Sequence, residues 1–173
     1  MRIRRAFSVV ELLTTLAGLV IVLGLMISLA RHVRLVSAEV LTKDILHRLD
    51  EAMTMYVHRE GMLPPNVPPF IEDNHELLSE ISLQSAAEGN NEAFVRALKS
   101  EGLFAGRFDD LSIAYYDEAR VRDAWGTPIV FMAKMHPAIG MNPRGWFFFS
   151  AGPDRQYLTR DDNLNSYDEP LRR

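Results

Sequence analysis

The chain has no cysteine among its 173 residues. This removes disulfide frameworks, thiol nucleophiles and thiolate metal sites. It also lacks the short motifs that carry common catalytic chemistry. There is no G-x-S-x-G, no phosphate loop and no G-x-G-x-x-G. His75-Glu76 opens the H-E-x-x-H zinc pattern, but Ser79 stands where its second histidine belongs. His32, His47, His58, His75 and His136 are otherwise scattered, so no enzyme is expected. Internal repeats and low-complexity segments are missing as well. Positive charge is scarce beyond the first residues. Past Arg2, Arg4 and Arg5, the chain holds 16 Lys and Arg against 23 Asp and Glu, a net −7. Phosphate binding needs clustered cations, so nucleic acid is not expected as a partner.

Charge is missing altogether from Leu12 to Ala30, nineteen residues dominated by Leu, Val, Ile and Ala. At 1.5 Å rise per residue that run makes roughly 29 Å of helix, enough to cross a bilayer core. A buried core helix of this length normally keeps a polar stripe, and this run has none. A cleaved secretory signal would fit the charged start. Its apolar region is usually shorter, though, and Ser28-Leu29-Ala30 is a poor imitation of the small-residue cleavage site. Arg2, Arg4 and Arg5 favour a cytoplasmic N-terminus, while Arg31 and Arg34 on the far side oppose that bias.

Glu11 sits at the entry to this run. A carboxylate entering a membrane costs on the order of 2.5–3.5 kcal/mol on insertion scales, so a partner is expected. The nearest cations are the arginines behind it. A cut after Ala6 would give Phe7 a new α-amino group four residues before Glu11. That amine can pair with a carboxylate on its own chain or on a neighbour's, and the span would stay on the mature protein.

Ala6-Phe7-Ser8-Val9-Val10-Glu11-Leu12, behind a short basic leader, resembles the type IV prepilin processing motif. The resemblance implies cleavage between Ala6 and Phe7 by a prepilin peptidase on the cytoplasmic side, then N-methylation of Phe7. It also implies that Glu11 registers each subunit during assembly. Two features depart from the pattern: family leaders usually end in glycine, where this chain has Ala6, and many members carry proline where it has Ser28.

Proline and glycine are absent from Leu25 to Glu60. Val33, Val36, Val40, Leu41, Ile45, Leu49, Met53 and Tyr56 recur at close to helical spacing. One helix from about Phe7 to His58 is therefore expected, roughly 78 Å long, its first half apolar all round and its second half amphipathic. Gly61-Met62-Leu63-Pro64-Pro65 ends it. Two short helices, His75–Ala87 and an Asn-capped Asn90–Glu101, are expected next. Three strand-like runs follow: Leu111–Tyr116, Thr127–Ala133 and Gly145–Ala151. The expected fold is α+β and pilin-like: a long N-terminal helix packed on a small domain with short helices and a C-terminal antiparallel sheet. Its segments would be a leader over 1–6, a membrane and assembly helix over 7–30, an amphipathic continuation over 31–60 and a globular domain over 61–173.

Asp123-Ala124-Trp125-Gly126-Thr127-Pro128 reads locally as a turn into a strand, with Trp125 as a core anchor. Together with Ser150-Ala151-Gly152-Pro153-Asp154 and a late acidic cluster, its order resembles the globular domain of the major pseudopilin of type II secretion. The resemblance covers the N-terminal helix and roughly the last fifty residues. It implies a calcium-binding loop, with Asp154, Asp161, Asp162 and Asn163 as the matching ligands. Such oxygen donors suit Ca²⁺. Without the resemblance the loop reads equally as a solvated acidic turn, neutralised by Arg155 and Arg160.

The expected protein is thus a structural subunit of a type II secretion pseudopilus or related type IV filament. It would sit in the bacterial inner membrane, single-pass, with a periplasmic C-terminal domain. Expected partners are copies of itself, other pseudopilins, prepilin peptidase, the inner-membrane assembly platform and membrane lipid. A minor pilin for DNA uptake or adhesion, or a membrane-anchored periplasmic protein that never polymerises, are the alternatives.

Overall fold

The computed structural model describes residues 8–71, 80–137, 139–142 and 145–168. Helix α1, Val9–Glu60, runs unbroken for 52 residues. Ser8 starts it: its carbonyl accepts from Leu12 N at 3.1 Å, and its hydroxyl from Val10 N at 3.2 Å. A serine oxygen in this place satisfies one of the amides that a helix N-terminus leaves orphaned. Gly61 ends the helix at φ +73°, its amide closing on the Val57 carbonyl at 2.8 Å. Glycine takes this left-handed conformation without a Cβ penalty.

The chain divides into two units after Ser37, within α1. In the first unit every described residue is exposed. Among the described residues, α1 is the one helix long and apolar enough to cross a membrane, which is consistent with a single-pass anchor.

In the second unit the rest of α1 lies in the core of a small α+β domain. Ile45, Leu46, Leu49, Ala52 and Met53 are at most 1% exposed. The other elements are helix α2, Glu80–Ser100, and strands β1, Val130–Met132, β2, Phe147–Ser150, and β3, Leu164–Asn165. The strands form an antiparallel sheet in the order β1-β2-β3, with Phe131 opposite Phe148 and Phe149 opposite Asn165.

Phe147-Phe148-Phe149 is apolar without alternation because both faces of β2 are covered. Phe131 and Phe148 pack with Ile45, Leu49 and Phe94. Phe147, Phe149, Val130 and Met132 pack on the other face with Phe70, Leu83, Ala87 and Tyr157. Helix α2 serves both layers, through Phe94, Val95 and Leu98 on one and Leu83 and Ala87 on the other.

Three expectations change. A single α2 replaces the two short helices, of which residues 75–79 lie outside the described residues. Asn90 and Asn91 do not cap it; they are buried in mid-helix and bond to strand backbone. The Asn90 amide accepts from Phe131 N at 2.8 Å and donates to Phe131 O at 2.9 Å and Pro68 O at 2.8 Å. Asn91 accepts from Val121 N at 2.9 Å and donates to Val121 O and Ile129 O at 2.8 and 2.6 Å. A side-chain amide that pairs with a peptide group in this way takes the place of a neighbouring strand. Leu111–Tyr116 is a set of turns, because Ser112 accepts from Tyr115 N, Tyr116 N and, through its hydroxyl, Ala114 N. Only Tyr116 makes a bridge, to Val121. The third strand is instead Leu164–Asn165, and the Asn165 amide is held by the Asp168 carboxylate at 2.8 Å.

Candidate functional site

Two places carry the residues singled out by sequence. Ala6 and Phe7 lie outside the described residues. Glu11 falls in the first turn of α1, exposed, where a carboxylate is favoured by the helix dipole. Its carbonyl accepts from the hydroxyls of Thr14 at 3.0 Å and Thr15 at 2.9 Å, so the polar groups of the early span are turned onto their own helix. No ion pair to Glu11 occurs among the described residues. Ser8-Val9-Val10-Glu11 also has the S-x-x-E spacing of a capping box, which gives Glu11 a local role beside any intermolecular one.

The second place is the junction of the Asp123–Pro128 turn with the Ser150–Asp154 loop. Asp123 is fully buried. One carboxylate oxygen accepts from Trp125 N at 2.9 Å and Thr127 N at 2.8 Å, and the other from the Ser150 hydroxyl at 2.6 Å. Burial pushes the Asp123 carboxyl above the usual carboxylate range; these three hydrogen bonds and the charge of Arg155 oppose the rise. The same serine oxygen accepts from Gly152 N at 3.0 Å. On the outer side of the turn, Ala124 N donates to Thr42 of α1 at 3.0 Å. Trp125, expected as the core anchor, is only half-buried. Asp123 anchors the turn instead, because a short carboxylate can reach the backbone amides two and four residues ahead.

Gly152 sits at φ +71°, where a Cβ would lie 1.9 Å from the Asp162 carbonyl oxygen. The Ser150–Asp154 loop and the late acidic segment therefore meet backbone to backbone. Asp154 accepts from Gln156 N at 2.9 Å, while Asp161 and Asp162 are exposed. Asn163 is 7% exposed; its nitrogen donates to Tyr157 O at 2.9 Å, and its buried Oδ1 has no hydrogen-bond partner. An orphaned buried amide oxygen and neighbouring carboxylates are the donor chemistry of a hard cation. The side chains are not drawn together, however: no group of three or more acidic or histidine residues gathers closely enough for a metal among the described residues. Neither Arg155 nor Arg160 forms an ion pair with Asp154, Asp161 or Asp162 among the described residues. Arg160 reaches the Pro137 carbonyl at 3.5 Å instead.

Elsewhere α1 is tied to the domain by polar contacts that sequence reading missed. Arg48 grips the Asp110 carboxylate at 2.6 and 3.1 Å and the Arg107 carbonyl at 2.7 Å. The hydrogen bond from Arg48 holds the Asp110 carboxyl below its ordinary range. Asp50, on the buried stripe of α1, accepts from the Ser166 hydroxyl at 3.1 Å beside β3. An acid inside an apolar stripe is the signal that pointed to this contact.

Comparison of the chain with protein-family models, with curated proteins and with solved structures finds no match.

Proposed function

We propose that this chain is a prepilin-type subunit of a type II secretion pseudopilus or a related type IV filament, processed after Ala6 and held in the inner membrane until assembly. Its role is structural rather than catalytic. The observation that supports this reading is the make-up of α1. One unbroken 52-residue helix is uncharged and exposed from Leu12 to Ala30, carries a single carboxylate in its first turn, and is buried at its far end in an α+β domain. A helix meant only as an anchor gains nothing from Glu11, because a carboxylate in the span opposes insertion. A helix that docks against copies of itself gains an electrostatic register, Glu11 of one subunit meeting the Phe7 amine of another. Calcium belongs to the same proposal, as a clamp on the loop of Asp154, Asp161, Asp162 and Asn163, and the orphaned Asn163 oxygen supports it.

The absence of cysteine makes a direct test simple. Single cysteines placed along α1, at Leu16, Leu19 and Leu23 in turn, would be oxidised in membranes of a host carrying the filament machinery. Disulfide-linked dimers at some positions and not others are expected for an ordered helix bundle. Monomer at every position, with the protein present in the membrane fraction, contradicts assembly and leaves a plain anchor.

A further inference from the structure

Arg31 and Arg34 are exposed on α1, immediately past the uncharged run. Three residues apart, they share one face of the helix, where like charges repel. No ion pair to either occurs among the described residues. The next carboxylate along the chain, Glu39, is engaged by Lys43 at 3.0 Å. The helix therefore presents two adjacent guanidinium groups with no anion of its own.

Their position defines the anion that meets them. From Glu11 to Arg31 is twenty residues, about 30 Å of helix, which equals the hydrocarbon thickness of a bilayer. With Glu11 at one boundary, Arg31 stands at the other. Arg34 lies one turn farther out, and helical side chains lean toward the helix N-terminus, so its guanidinium reaches back toward the same plane. Cations on this side also oppose the orientation set by Arg2, Arg4 and Arg5, so their presence has an energetic cost in topogenesis. Guanidinium groups bind phosphate oxygens two at a time.

We infer that Arg31 and Arg34 form a binding site for the headgroup of an anionic phospholipid in the outer leaflet of the membrane, fixing the depth of the helix. This inference rests on the membrane-spanning reading of α1.

The test uses the purified full chain reconstituted in phosphatidylcholine vesicles. Spin-labelled phosphatidylglycerol and spin-labelled phosphatidylcholine are compared by electron spin resonance for their association with the protein. The expected result is a preference for the anionic lipid that falls about fivefold in Arg31→Gln/Arg34→Gln, the change expected for loss of cationic contact at an anionic surface. The preference survives in Arg31→Lys/Arg34→Lys and weakens with added salt. Arg2, Arg4 and Arg5 are the same in all three proteins, so their contribution cancels. Equal preference in wild type and the glutamine variant, with both proteins inserted, overturns the site. A wild-type chain that does not float with vesicles of either composition overturns the membrane span, and the inference with it.

Discussion

The Ser150 hydroxyl donates to the Asp123 carboxylate at 2.6 Å, inside the protein and 27 residues away in sequence. The contact joins the end of β2 to the turn that leads into β1. Through Ala124 and Thr42, that turn is also joined to α1. Three backbone segments thus converge on one buried acid.

Removing that acid should be costly. In Asp123→Ala the amides of Trp125 and Thr127 and the Ser150 hydroxyl lose their acceptor, and leaving buried polar groups unpaired costs about 1–3 kcal/mol each at most. A loss of about 3 kcal/mol is expected, measured by thermal or denaturant unfolding of the chain in detergent. Asp123→Asn keeps an acceptor oxygen for the two amides and should lose less.

The same residue gives stability a pH dependence of known sign. The folded carboxyl is raised, chiefly by burial. Its ionised form therefore weakens the fold, an effect absent below the unfolded value of about 3.9 and growing as pH rises through the folded value. Relative to Asp123→Asn, the wild type should gain stability as pH is lowered from 7 toward 4. Paired melting curves across that range measure the difference; a constant gap contradicts a raised carboxyl.

Gly152→Ala should be among the most damaging single substitutions. The new Cβ would lie 1.9 Å from the Asp162 carbonyl oxygen, at a φ of +71°. The left-handed conformation alone costs about 1–2 kcal/mol, and displacing the facing backbone adds to it. By contrast, Glu118 occupies φ +67° as a non-glycine residue, so Glu118→Gly should be neutral or slightly stabilising. Unfolding midpoints of the two variants should move in opposite directions or differ by several degrees.

If the late loop is clamped by calcium, the melting temperature rises with Ca²⁺ and returns with chelator. Asp161→Ala removes the difference. At a hundred times the Kd, binding to the folded state alone adds about 2.7 kcal/mol. Identical curves with calcium and with chelator leave Asp161 and Asp162 as solvated surface.

Much of this fold is legible in the sequence, for identifiable reasons. The lack of proline and glycine from Leu25 to Glu60 and the spacing of Ile45, Leu49, Met53 and Tyr56 gave α1 nearly to its last residue. The runs around Val130 and Phe148 gave β1 and β2 as paired strands. What sequence hid depends on contacts far along the chain. Asn90 and Asn91 resemble caps because asparagine favours helix ends; only the nearby backbone of Phe131, Val121 and Ile129 makes them mid-helix bridges. Leu164–Asn165 is too short to show a period, and its pairing with Phe149 and Ser150 is what makes it a strand. In the loop, the turn residues were visible but the roles were exchanged. Trp125 looked like the anchor by size, while Asp123 holds the turn by hydrogen bonding.

Replacing Glu11 tests its role at the cost of little else. Glu11→Ala should insert into membranes at least as well as wild type, since a charge has been removed from the span. Ser8 still caps the helix through Val10 N. Filament formation, scored by shearing or by cross-linking, should fall sharply. A variant that assembles like wild type leaves Glu11 with only its local place in the capping box.

The intact mass of the protein extracted from membranes of a host with prepilin peptidase tests the central claim most directly. The account predicts a chain that begins at Phe7, carrying one added methyl group on its amino terminus, and that disappears when the peptidase is deleted. A mature start after Ala30, or a chain that keeps Met1–Ala6 whether or not the peptidase is present, contradicts it.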